Sequence, residues 1–233
     1  MATFVLVHGS FVGGWIWQPT VAVLRQQGHT VHAPSVDGCG ERKGALRVGM
    51  SVSAAAQELA DLMFYEDLQD VVLVGTSTGG LIVEKLATIA RERLQRLILI
   101  DALVPMPGES IRDIVRRPNA PPFQMTELTR VPTAEDMRDG LFAELPGSMK
   151  EWALARATPH PLALSDAQPG ELDDFWTQSW SATVIRCTNS PNPPESHQRR
   201  TATTLKADYV EMEAGHYPML THADEAARLL QQT

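Results

Sequence analysis

The 233-residue sequence predicts an α/β domain on a mostly parallel, doubly wound sheet. Short apolar runs recur with helical segments between them, as in a βαβ series. Most of these runs are continuous in Val, Leu and Ile, the pattern of parallel strands buried on both faces. The length suits one ordinary domain and is short for two. In chain order, strands are expected at Phe4–Val7 (FVLV), Thr30–Ala33 (TVHA), Val71–Val74 (VVLV), Leu97–Ile100 (LILI), Thr183–Arg186 (TVIR) and Tyr209–Met212 (YVEM). Helices are expected between and after them, at Trp17–Gln27, Val52–Met63, Gly80–Glu92, Glu195–Leu205 and Ala223–Gln231.

One interval breaks this rhythm. From Leu97 to Val184 the chain runs 87 residues and carries ten of the sixteen prolines, together with Trp152, Trp176 and Trp180. A structureless loop of that length is unusual in a compact domain. The interval is read as an inserted, mostly helical cap, 106–180, on a core formed by 1–105 and 181–233.

Composition narrows the partners. The net charge is −8 and no basic run stands out, which disfavours nucleic acid or an anionic membrane surface. No apolar run approaches the ~20 residues of a membrane helix. Met1-Ala2-Thr3 leads straight into a strand-like run with no signal-peptide pattern, and two cysteines, Cys39 and Cys187, make no disulfide framework. The expectation is a cytoplasmic protein acting on a small molecule, with no cofactor and no metal. The oligomeric state is not legible.

The chemistry concentrates at Val71-Val72-Leu73-Val74-Gly75-Thr76-Ser77-Thr78-Gly79-Gly80. G-x-S-x-G carries little weight alone, but here it follows an apolar strand and opens an amphipathic helix, the context of a nucleophile elbow. No Lys follows the glycines, so a phosphate-binding loop fits poorly. Ser77 is the candidate nucleophile. His216, after the last strand in Glu213-Ala214-Gly215-His216, is the candidate base, and the order Ser then His suits this arrangement. His29 and His32 read as surface or structural, His160 as packing, and His197 and His222 as solvated positions on helices. The glycine-rich run His8-Gly9-Ser10-Phe11-Val12-Gly13-Gly14 ends the first strand. It is expected to present the Ser10 amide to an oxyanion, beside the Thr78 amide. His8 is expected to hold this loop, and Phe11 and Trp152 are the candidate substrate contacts. Cap aromatics such as Phe123, Phe142, Trp152 and Phe175 are more often core than substrate contacts, so Phe11 is the aromatic placed most readily in the pocket.

Phe4-to-Trp17 (FVLVHGSFVGGWIW), Gly38-to-Arg42 (GCGER), the elbow and Asp101-to-Ser110 (DALVPMPGES) resemble small cofactor-free α/β-hydrolases. The similarity is to bacterial esterases akin to plant methyl-ester esterases and hydroxynitrile lyases, and it is weakest from Ile111 to Trp180. It implies the α/β-hydrolase fold, an eight-strand core type with its first strands reduced, and a pocket under a helical cap. It also implies the serine, histidine and oxyanion roles given above.

The resemblance breaks at one position. Those relatives read roughly C-T-x-D after the seventh strand of the fold, the Asp orienting the histidine, whereas this chain reads Cys187-Thr188-Asn189-Ser190. A neutral residue there does not stabilise an imidazolium as an anion does. Asp101, at the end of the neighbouring strand, is the first candidate for a relocated acid. Relatives that keep the usual acid also often carry Asp there, so a Ser-His dyad and Glu195 stay open as alternatives.

The leading function is a serine hydrolase of a small, fairly apolar ester. The elbow and Phe64-Tyr65-Glu66-Asp67-Leu68 are also similar to bacterial enzymes that hydrolyse carbendazim, which keeps carbamate or amide hydrolysis as an alternative. Plant hydroxynitrile lyases have Thr and Lys where this chain has Gly9 and Pro191, which argues against lyase chemistry. A non-catalytic small-molecule-binding protein on the same fold is the alternative from another class.

Overall fold

The computed structural model describes residues 1–115 and 123–232; residues 116–122, within the expected cap, and residue 233 lie outside the described residues. The chain enters through β1 (Thr3–Val7), α1 (Gln18–Gln26), β2 (Thr30–His32) and α2 (Val52–Tyr65). The Ser51 hydroxyl caps α2 by accepting the Ala54 N–H at 3.0 Å. Next come β3 (Val71–Ser77), α3 (Gly79–Ile89) and β4 (Leu94–Ala102). The intervening segment holds α4 (Ile111–Ile114), β5 (Gln124–Met125), β6 (Thr129–Val131), α5 (Gly147–Leu154), β7 (His160–Pro161) and α6 (Asp173–Trp176). The chain then returns through β8 (Ala182–Cys187), α7 (Glu195–Leu205), β9 (Asp208–Met212), α8 (Pro218–Thr221) and α9 (Ala223–Gln231).

Six strands form one parallel sheet in the order β2-β1-β3-β4-β8-β9. All six expected strands lie in it, and the fold class is the one the sequence predicts. Alternation within each run divides the core between the two faces. Val5, Val7, Leu73, Leu97 and Leu99 pack with α2, α3 and α7 on one side. Phe4, Leu6, Val72, Val74, Ile98 and Ile100 pack with α1 and α9 on the other.

The segment between β4 and β8 is less helical than expected. Alongside its short helices it carries a three-stranded antiparallel sheet, β5-β6-β7. Strands of two or three residues are too short to show alternation, and Pro132 and Pro161 hide them further. The segment is tied down at Trp176, whose indole N–H is shared by the Pro105 carbonyl at 2.9 Å and Glu84 at 3.1 Å. Burial of Glu84 in α3 raises its carboxyl pKa well above the usual range. No helix among the described residues is long and apolar enough to cross a membrane.

Candidate active site

Ser77 ends β3 and α3 begins two residues later. Its φ of +52° lies in the left-handed region that non-glycine residues seldom occupy. The turn is tight because a Cβ on Gly79 would stand 2.6 Å from the His8 carbonyl oxygen. Such strain costs about 1–3 kcal/mol and persists only where the surroundings over-determine it. Part of that constraint is the Leu103 N–H, which donates to the Ser77 carbonyl at 2.8 Å.

Asp101 sits on an irregularity of the adjacent strand. Thr76 pairs with Ile100, but Ser77 pairs with Ala102, so Asp101 is the extra residue of a bulge. Its φ is +45°, a conformation Asp tolerates better than most residues. A bulge re-aims a side chain, and this one points a fully buried carboxylate at the loop after β9. His216 Nδ1 donates to Asp101 Oδ2 at 2.6 Å. The other oxygen, Oδ1, accepts from Gln198 Nε2 at 2.8 Å. With its Nδ1 proton committed, His216 keeps a lone pair on Nε2. Burial pulls the His216 pKa down, but the hydrogen bond and charge of Asp101, with the charge of Glu144, outweigh it and leave the pKa raised above 6.5.

The other two acid sites stand differently. The Ser190 hydroxyl donates to the Asn192 carbonyl at 2.8 Å, and its oxygen is 3.5 Å from His216 Nδ1. Glu195 is engaged with Arg199 at 2.6 Å and Arg186 at 3.2 Å. The structure therefore brings Asp101, and not Glu195, to the histidine.

The loop after β1 lies beside the elbow. Ser10 Oγ and Thr78 Oγ1 share a hydrogen bond of 2.9 Å. His8 holds the loop from below: Nδ1 donates to the Gly9 carbonyl at 2.8 Å and Nε2 accepts the Val36 N–H at 3.1 Å. Both ring nitrogens are thus spent on backbone. Ser10, Ser77, Thr78 and His216 line one cavity of about 710 Å³ together with Phe11, Leu103, Ile111, Phe123 and Met137. That size and largely apolar wall suit a small organic molecule.

Two expected side chains are placed differently. Trp152 is not among the residues lining the cavity; it packs edge-on against Trp15 at 5.1 Å with Arg156 over its ring. An aromatic residue in a proline-rich segment does not show from sequence whether it walls a cavity or packs in the core beside it. His197 is buried, not solvated; its Nε2 accepts the Val104 N–H at 3.2 Å, and burial with nearby Arg200 lowers its pKa to about 4. Phe142 and Phe175 are core, whereas Phe123 lines the cavity.

Three residues that the sequence did not single out for the site touch it. Gln198 holds Asp101. Glu144, from the segment before α5, accepts the His216 N–H at 2.8 Å and the Tyr217 N–H at 2.7 Å. Gly215 makes room for it, since a Cβ there would overlap the Glu144 carboxylate. Arg130, in β6, donates to Ser10 Oγ at 2.7 Å. Neither charged residue belongs to a motif, because each meets its partner across more than seventy residues of chain.

Comparison with known proteins bears on the family and the fold. Residues 4–229 match the model of the Alpha/beta hydrolase family. The chain is 30% identical over 171 residues to a carbendazim hydrolyzing esterase from Nocardioides sp. (strain SG-4G), covering 70% of this chain and 71% of that one. It is 28% identical over 227 residues to putative methylesterase 11, chloroplastic, from Arabidopsis thaliana, covering 84% of this chain but only 57% of that protein. Among solved structures, an extracellular alpha/beta-hydrolase from a Paenibacillus species superposes with a TM-score of 0.83 over 99% of this chain and 98% of that one, at 21% identity. With strand order, elbow and family match in agreement, this chain belongs to the alpha/beta hydrolase family.

Proposed function

We propose that the chain is a serine hydrolase that cleaves a small, largely apolar carboxylic ester through an acyl-enzyme. One observation carries this reading above the rest: the 2.6 Å contact between Asp101 and His216, made at the cavity that the strained Ser77 also lines. Two relatives named as esterases support the reaction class. In this reading 106–180 acts as a cap over a core of 1–105 and 181–233.

The steps use the groups gathered at this cavity, with Ser77 and His216 on its wall and Asp101 behind the histidine. Ser77 Oγ attacks the ester carbonyl carbon as its proton passes to His216 Nε2. Asp101 stabilises the imidazolium that forms. The Ser10 and Thr78 amides take the charge on the carbonyl oxygen. The C–O bond to the alcohol breaks as His216 returns the proton to it, leaving an acyl-Ser77 ester. Water then attacks that ester, again giving a proton to His216, and Ser77 recovers its hydrogen as the carboxylic acid leaves. Carbamate hydrolysis uses the same machinery, and the carbendazim hydrolyzing relative favours it as the second reading. Lyase chemistry fits poorly, because any Cβ at Gly9 would lie 2.6 Å from the Ser77 Cβ.

A fluorophosphonate probe tests the class. Covalent labelling at Ser77 is expected, and an unlabelled protein would favour a binding role on this fold. Rates on p-nitrophenyl acetate against a carbamate panel then separate the two hydrolase readings.

The raised pKa of His216 sets the sign of the pH response. The base works only when neutral, so kcat/KM should fall as pH drops through a midpoint above the ordinary ~6.5 of histidine. A profile flat across that region would contradict base catalysis by His216. Glu144 adds to the proton affinity through its charge and also holds the loop. Glu144→Gln should therefore move the acid-limb midpoint down and lower kcat/KM by up to about tenfold, near 1.4 kcal/mol on the transition state. An unchanged midpoint would remove Glu144 from the electrostatics of the site.

A further inference from the structure

We infer that Arg130 is a positioning residue for the oxyanion hole, delivered to it by the antiparallel sheet of the cap. This rests on the serine-hydrolase reading above. Arg130 is the middle residue of β6, and its backbone is registered on both sides, opposite Met125 in β5 and His160 in β7. Its guanidinium carbon lies 5.0 Å from the Phe11 ring centre and 5.2 Å from that of Phe123. Aromatic faces attract the cation and restrict where the planar group points. From there Nη2 donates to Ser10 Oγ at 2.7 Å, and Ser10 Oγ meets Thr78 Oγ1 at 2.9 Å.

Ser10 and Thr78 are the two residues whose amides receive the oxyanion. They are 68 residues apart in sequence, one on the loop after β1 and one on the elbow. Their separation decides whether two N–H groups converge on one oxygen, and useful donors sit within about 2.7–3.1 Å of it. The chain of Arg130, Ser10 hydroxyl and Thr78 hydroxyl is a side-chain strut between those backbones. A charge-assisted bond at its outer end makes it stiffer than a pair of neutral hydroxyls. The same segment holds the loop a second time, through the Thr158 N–H on the Phe11 carbonyl at 2.9 Å. The cap thus shapes the oxyanion hole as well as covering the substrate.

A double-mutant cycle on a neutral ester, p-nitrophenyl acetate, tests this. Arg130→Met and Ser10→Ala should each lower kcat about tenfold, less than the ~10²–10³ lost with a whole donor. KM should change little. Ser10→Ala deletes only the bridging oxygen and keeps the amide, so the double variant should be no slower than the slower single one. Arg130→Lys, which retains a cationic donor, should recover part of the rate. Multiplying effects in the double variant, or a rise in KM with kcat unchanged, would overturn the proposal in favour of separate roles or of substrate binding by Arg130. Should Arg130→Met fail to fold, Ser10→Ala with unchanged kcat overturns it alone. Failure of the hydrolase reading itself looks different, because the wild-type protein would then show no phosphonate labelling at Ser77.

Discussion

Ser77→Ala is expected to lower kcat by at least about 10⁴-fold; in subtilisin the loss of the nucleophile costs about 2 × 10⁶. In the proposed reaction the variant removes the one atom that bonds to the acyl group. What rate remains comes from substrate binding and the oxyanion amides, which the substitution leaves in place. The fold should be untouched, because Ala meets the same backbone demand as Ser at a φ of +52° and loses only a hydroxyl at the cavity wall. Circular dichroism and a thermal melt check that, and loss of phosphonate labelling checks the site. Retention of more than about a tenth of the activity would remove Ser77 from the chemistry, since losses of several orders of magnitude are usual for a nucleophile.

The parallel sheet was legible because its strands are buried on both faces. FVLV, VVLV and LILI are apolar throughout, and the gaps between runs match the helices that cross the sheet. The elbow was legible for a related reason. A glycine-flanked serine between an apolar strand and an amphipathic helix has few other uses. The small antiparallel sheet left no such trace, because β5 to β7 span two or three residues each.

Long-range geometry was the other blind spot. The sequence places Asp101 at the end of a strand, but the bulge that turns its side chain toward His216 depends on how β3 and β4 pair. Glu144 and Arg130 reach His216 and Ser10 across the fold from a proline-rich segment with no helical or strand periodicity to mark one face. Trp152 shows the converse error: an aromatic in that segment suggests a substrate wall, and this one packs on Trp15 instead. His197 reads as solvated by helical spacing and is buried because α7 packs on the loop after β4.

In the proposed mechanism Asp101, on a bulged strand, serves His216 in place of the acid missing at Ser190. Asp101→Asn should cost about 10⁴ in rate, as the comparable change does in serine proteases. Here the neighbouring hydrogen bond gives the reason. Gln198 Nε2 donates to Oδ1 at 2.8 Å, so it will hold the oxygen of an Asn at that place and turn the amide –NH₂ toward His216 Nδ1. The histidine must then accept at Nδ1, which moves its proton to Nε2 and disables the base. The anionic partner of the imidazolium is lost as well, so the acid limb of any residual activity should shift to lower pH. The decisive measurement is kcat/KM of Asp101→Asn on p-nitrophenyl acetate, with fold checked by thermal melt. A fall of about 10³–10⁴ is the predicted result; a folded variant that keeps more than about a tenth of the wild-type value, against that usual loss, would contradict the account and leave Ser77 and His216 working as a dyad.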